Sequence, residues 1–167
     1  MKDKLTQSDI KKMEEEIEYR KLTLRPSLLE SVKEARAHGD LSENFEYKAA
    51  KQAKNKNESR IRYLERMVNT AVVIDDSSKD DEIGINNTVT VEFEDDHSEA
   101  KYKIVTTVRS NSIKGLISIE SPLGKALMHK KLGDRVYVQV NESISYYVLV
   151  KDIDKSTDDS EDAIRQY

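Results

Sequence analysis

Ala35-Arg-Ala-His-Gly-Asp-Leu-Ser-Glu-Asn-Phe-Glu-Tyr-Lys-Ala-Ala50 decides the fold, because it sets a turn between two long helical patterns and places two acids, Asp40 and Glu43, in that turn. Upstream, Ile10, Met13, Ile17, Leu24, Leu28, Val32 and Ala35 recur at steps of three, four or seven, the period of a helix with one apolar seam. Thr6 with Asp9 three residues later offers a capping-box start. Pro26 lacks a backbone donor and crowds the preceding turn, so a kink or local opening is expected there. Downstream, Gly39 breaks the pattern and a second helix is predicted from about Ser42 to Asn69, with Phe45, Ala49, Ala53, Ile61, Leu64 and Val68 on one face. Phe45 is expected to close the tip. At 1.5 Å rise per residue, the two segments make an antiparallel finger roughly 40–45 Å long.

Beyond Ala71-Val-Val-Ile74 the composition turns polar and acidic, Asp75-Asp-Ser-Ser-Lys-Asp-Asp-Glu82, which reads as a linker. Strand-like runs follow at 88–93, 102–108, 116–119, 135–140 and 145–150, several alternating apolar and polar residues as half-buried antiparallel strands do. One helix interrupts them, opening at Ser121-Pro122 with serine as N-cap and ending before Gly133. The organisation expected is a coiled-coil finger over residues 1–75, an acidic linker over 76–83, an α+β domain over 84–153 and a mobile acidic tail over 154–167. No internal repeat occurs.

Charged residues make up 36% of the 167-residue chain and hydrophobic ones 37%, with no Trp and two Phe, which argues against a single large core. Absence of cysteine excludes disulfides and thiolate metal sites. The first residues lack the apolar segment of a secretory signal, and no apolar run approaches membrane-spanning length, so a cytoplasmic protein without membrane contact is expected. Residues 1–75 carry 16 basic and 14 acidic side chains and residues 76–167 carry 12 and 18, so the two parts face different partners. Free association with duplex DNA is disfavoured by the overall charge of −4.

Asp40 and Glu43 support two readings. They can cap the second helix and favour its dipole. Alternatively, as oxygen ligands they suit Mg²⁺, which keeps several waters and needs only one or two carboxylates. Two solvated acids hold such an ion weakly, so metal chemistry at the tip requires further ligands from a partner. His38, His97 and His129 form no local metal motif, and there is no glycine-rich phosphate loop or nucleophile elbow.

The run Gly39-Asp-Leu-Ser-Glu-Asn44, followed by Glu46-Tyr47, closely resembles the tip signature of the bacterial Gre transcript-cleavage factors. Ser121-Pro-Leu-Gly-Lys-Ala-Leu127 and Lys130-Lys-Leu-Gly-Asp134 resemble that family's C-terminal domain. The resemblance implies an N-terminal antiparallel coiled-coil hairpin followed by an FKBP-like antiparallel sheet with one helix. It implies a monomeric transcription elongation factor, not itself an enzyme, whose finger enters the secondary channel of RNA polymerase. There Asp40 and Glu43 help to hold a Mg²⁺ ion of the polymerase active centre and position the attacking water, so that the polymerase cleaves the backtracked 3′ end of the nascent RNA. No ion is expected to stay on the chain alone. By the same resemblance, Asn44 and Tyr47 support the tip or pack between the helices. Arg36, Lys48 and Lys51 engage RNA or form a solvated face, and Ser121, Pro122 and Leu123 dock on the polymerase.

Phe45 occupies a position often filled by Ala in the family, and the C-terminal domain departs from the family pattern at several points. Val105-Thr-Thr-Val-Arg-Ser-Asn111 lacks the usual glycine and acids, His129 stands where glycine is frequent, and Asn141-Glu-Ser143 replaces a Pro-Gly-Gly turn. Two other classes remain open: a divergent paralogue that binds the channel and inhibits or modulates polymerase without cleavage, and a chaperone-like hairpin that uses its apolar seam. The intact Asp-x-x-Glu pair favours cleavage over inhibition.

Overall fold

A computed structural model describes residues 2–39 and 44–166. Its elements run β1 (Lys4–Leu5), α1 (Gln7–Tyr19), a π-helical segment (Arg20–Leu24), α2 (Arg25–Ala37), α3 (Phe45–Thr70), β2 (Val72–Val73), β3 (Thr88–Phe93), β4 (Glu99–Val105), β5 (Leu116–Ser118), α4 (Pro122–Leu127), β6 (Arg135–Gln139) and β7 (Ser145–Asp154). The fold is α+β in two compact units. One comprises residues 1–3 and 10–71; the other joins residues 4–9 to 72–167. The six residues at 4–9 therefore belong with the sheet, a placement that their position in the sequence does not suggest.

In the helical unit, the opening expected at Pro26 takes the form of the π-helical segment just before it. Arg25 N–H donates to the Arg20 carbonyl, five residues back. Widening this turn relieves the encounter of the proline ring with the carbonyl four residues earlier. Asn57 of α3 supplies the Arg20 carbonyl with a second donor through Nδ2 at 3.3 Å, and its Oδ1 accepts from Arg20 Nη1 at 2.9 Å.

The middle of the hairpin is held by charge as well as by apolar packing. Glu16 accepts from Arg20 Nε at 2.7 Å and from Arg60 Nε at 2.8 Å. Arg25 forms a two-bonded fork with Glu58 at 2.7 and 2.9 Å, and Lys21 pairs with Glu65. Met13, Ile61, Leu64 and Met67 are buried toward the open end, and Ala35 toward the tip. In the distal half of α3 the inward positions are Tyr47, Ala50, Lys54 and Asn57, whereas Phe45, Ala49 and Ala53 face solvent. The seam expected from apolar residues alone is misphased there because polar side chains occupy the true one.

The sheet unit holds a five-stranded sheet in the order β5-β4-β3-β7-β6. Pairing is antiparallel except at one edge, where β5 runs parallel to β4 with Lys103 opposite Leu116. Two 3-10 turns, Thr107–Arg109 and Ser112–Lys114, redirect the chain between those strands. Val89 and Val91 of β3, Val136 and Val138 of β6, and Val148 and Val150 of β7 alternate onto one face and bury Leu127 of α4 together with Ile83 and Ile104. This period-two pattern is the one legible in the sequence. β1 and β2 pair separately, in parallel, with Leu5 opposite Val73.

Arg109, fully buried, joins distant parts of this unit. Its Nε donates to Asp9 Oδ1 at 2.5 Å, and its Nη1 donates to Asn86 Oδ1 at 2.7 Å and to Asp162 Oδ2 at 3.1 Å. Asp9 also completes the expected capping box with Thr6, each backbone N–H donating to the other's side chain at 3.0 and 3.2 Å. The segment expected as a mobile tail instead packs on the sheet unit: Asp162 and Ile164 are buried, Lys103 Nζ donates to Asp162 at 2.7 Å, and Arg165 N–H donates to the Val108 carbonyl at 2.7 Å. The Asp162 carboxylate is drawn in by the cations Lys103 and Arg109.

The departures noted in the sequence have local explanations. His129 has φ 68°, the left-handed region that glycine occupies without strain. The side chain of Asn141 closes its turn by accepting from the Ser143 and Ile144 amides at 2.8 and 2.9 Å. The 105–111 segment carries the buried Arg109.

Candidate functional site

The hairpin end is built by the residues flanking the acidic turn. Asp40 and Glu43 themselves lie outside the described residues. Asn44 is the N-cap of α3, its Oδ1 accepting from the Tyr47 amide at 2.9 Å. Its Nδ2 donates to the Ala35 carbonyl at 2.7 Å. One amide side chain thus satisfies an orphan donor at the start of α3 and a terminal carbonyl of α2, tying the helices together where the chain turns. The capping role considered for Asp40 is filled by Asn44.

Tyr47, one turn further on, receives a hydrogen bond at its hydroxyl from Arg36 Nη2 at 3.2 Å, with the guanidinium 5.5 Å from the ring centroid. That hydrogen bond, aided by Lys51 and Lys54, holds the phenol below its ordinary pKa. Arg36 and Tyr47, proposed from sequence for separate roles, are brought together as a strap across the hairpin. His38 Nδ1 lies 3.5 Å from Glu46 beside them. Lys48 places its ammonium 5.6 Å from the centroid of Phe45, whose side chain is 79% exposed, so the ring does not close the tip as expected. Lys51 is exposed on the same helix. Among the described residues, no three metal-ligating side chains gather.

A second candidate surface lies at the start of α4. Ser121 Oγ accepts from the Gly124 amide at 3.1 Å and donates to the Ser118 carbonyl at 2.6 Å, so the hydroxyl serves the cap. Gly124 is required there, since an added Cβ would sit 2.0 Å from the Ser118 carbonyl oxygen. Leu123 packs against the sheet core, while Pro122 and Lys125 face solvent. Of the three residues assigned to docking, Pro122 offers the most open side chain. An open groove beside Ser121 is lined by Asn111, Ile113, Leu116 and Ile117. Ile113, exposed on its 3-10 turn, carries no motif that singles it out in the sequence.

The protein thus combines a helical hairpin, capped by Asn44 and strapped by Arg36 and Tyr47, with a mixed-sheet unit. Residues 4–73 match the family described as Transcription elongation factor, N-terminal, and residues 77–155 match Transcription elongation factor, GreA/GreB, C-term. The chain belongs to the GreA/GreB family. It is 45% identical over 141 residues to transcription elongation factor GreA of Thermoanaerobacter pseudethanolicus, covering 84% of this chain and 90% of that one. It is 39% identical over 150 residues to GreA of Chloroherpeton thalassium, covering 88% and 95%. Among solved structures it is similar to GreA factor homolog 1 of Thermus thermophilus, at 24% identity and TM-score 0.43 over 92% of this chain and 99% of that one.

Proposed function

We propose that this chain acts on RNA polymerase by inserting the hairpin tip through the secondary channel, where it stimulates the polymerase's own Mg²⁺-dependent cleavage of a backtracked RNA 3′ end. The observation that carries the reading is the Asp40-x-x-Glu43 pair, which falls in the sequence between α2 and α3, the two long helices of the hairpin. The 26 residues of α3 span about 39 Å at 1.5 Å each. Asn44 and the Arg36–Tyr47 strap fix the helix ends on either side of the acids, which supports their delivery as a pair rather than as independent side chains.

Two carboxylates are a fitting but incomplete oxygen set for Mg²⁺, and polymerase ligands complete it. When bound, the ion supplies charge neutralisation and an activated water. Asp40 and Glu43 would help to hold the ion and would accept hydrogen bonds from the attacking water, and the cations Arg36, Lys48 and Lys51 favour the phosphodiester backbone. The chain is then an accessory factor that contributes carboxylates to another protein's active centre. Pro122 and the adjoining groove are the surface that holds the polymerase outside the channel.

The test is a stalled, backtracked elongation complex supplied with the full chain. RNA shortened from its 3′ end is the expected result. Asp40→Ala and Glu43→Ala should each lose stimulation while still competing with the wild-type chain for polymerase. If the wild type binds and suppresses synthesis without shortening the RNA, the chain is a channel-binding modulator and the cleavage reading fails.

A further inference from the structure

We infer that Phe45 is a stacking platform for a base of the single-stranded RNA that reaches the tip, with Lys48 completing the contact. This deepens the cleavage reading and rests on it for the identity of the RNA. Isolated exposed apolar side chains are ordinary on protein surfaces, so exposure alone says little. Three features set Phe45 apart.

It opens α3 next to Asn44, at the described edge of the tip, in a first helical turn where a smaller residue would serve the helix as well or better. Its neighbours do not form an apolar patch of the kind a protein partner would bury: Glu46, Lys48 and Ala49 are exposed around it. The nearby charges instead match a polyanion. Lys48 sits over the ring, and Arg36 and Lys51 lie on the same end of the hairpin. An aromatic face with adjoining cations is the arrangement that binds single strands, because every base offers a π-face and every linkage a phosphate. Tyr47 is the other aromatic at this end, and its ring and hydroxyl are engaged by Arg36. Phe45 has Lys48 over its ring as well, but it is exposed where Tyr47 is half-buried, and its ring has no hydroxyl tied to a neighbour.

The experiment places 2-aminopurine at the RNA 3′ end of a backtracked complex and reads its fluorescence as full-length protein is added. The fluorescence series is run in the Asp40→Asn/Glu43→Gln background, so that the RNA stays intact and the reading does not depend on cleavage. Quenching is expected with Phe45 and with Phe45→Trp, and its loss with Phe45→Ala and with Phe45→Leu, which keeps apolar bulk without a π-face. With Asp40 and Glu43 intact, Phe45→Ala and Phe45→Leu should reduce cleavage at subsaturating protein by about tenfold. Polymerase affinity, measured by competition, should be unchanged. Quenching that survives in Phe45→Leu, or is absent with Phe45 itself, overturns the inference. If quenching follows the ring while the wild type produces no cleavage, stacking stands and the cleavage reading is the one that falls.

Discussion

Asn44 makes two structural bonds with one side chain, and the two can be separated by substitution. Asn44→Asp keeps an oxygen to cap the Tyr47 amide but loses the Nδ2 donor to Ala35, whereas Asn44→Ala loses both. Loss of a cap costs about 1 kcal/mol, so amide exchange at Tyr47 should speed up about fivefold or more in the alanine variant and much less in the aspartate. Equal protection in all three proteins would show that the cap is not closing the hairpin. A cleavage defect in Asn44→Asp despite a protected Tyr47 amide would assign function to the bridge across the helices. The sequence contained Asn44 as a tip residue. Its double bonding was hidden, because the carbonyl it reaches is nine residues earlier and on the other helix.

At the scale of elements, most of the fold was legible because local pattern and tertiary need agree. β3 lies at the bounds its alternation suggests, and Ser121 caps α4 as its sequence indicates. The polar layer of the hairpin was not, since Glu16, Arg20, Asn57 and Arg60 look like solvent-facing residues until both helices are present. This layer makes the hairpin sensitive to acid. Burial raises the pKa of Glu16, but hydrogen bonds and charge from Arg60 and Arg20 outweigh it and leave the net value lowered; Arg25 likewise lowers Glu58. A carboxylate held below its unfolded value contributes its stabilisation fully above that value, ordinarily 4.5 for glutamate, and loses it as pH falls through the folded value. Glu16→Gln should therefore cost about 2 kcal/mol at pH 7, as for a hydrogen bond to a charged group. Urea unfolding followed by helical circular dichroism should show the gap to wild type shrinking below pH 4.5. A gap that does not change with pH would place the effect in shape rather than charge.

For the whole molecule, Arg109 explains why the sheet unit is discontinuous along the chain. A buried guanidinium needs anionic partners, and it takes them from Asp9 and Asp162, near opposite ends of the sequence. No local motif could reveal this, and composition made residues 154–167 look like a free tail. Removing one partner of a buried ion pair is costly, so Asp162→Ala, or termination after Thr157, should destabilise the sheet unit by about 3 kcal/mol, read as faster exchange of the β3 and β4 amides. Unchanged exchange would mean that the C-terminal segment rests on the sheet without supporting it. The same arrangement bears on how the protein is made. The bonds from Asp9 to Thr106 and Arg109 span 97 and 100 residues, so Asp9 must wait through that length of synthesis for its partners. The hairpin, whose two helices are consecutive, can form while synthesis continues, and the sheet unit cannot be completed until β7 and Asp162 have been made. A substitution at Asp9 would accordingly act on this late closure of the sheet unit, after the hairpin has had time to form.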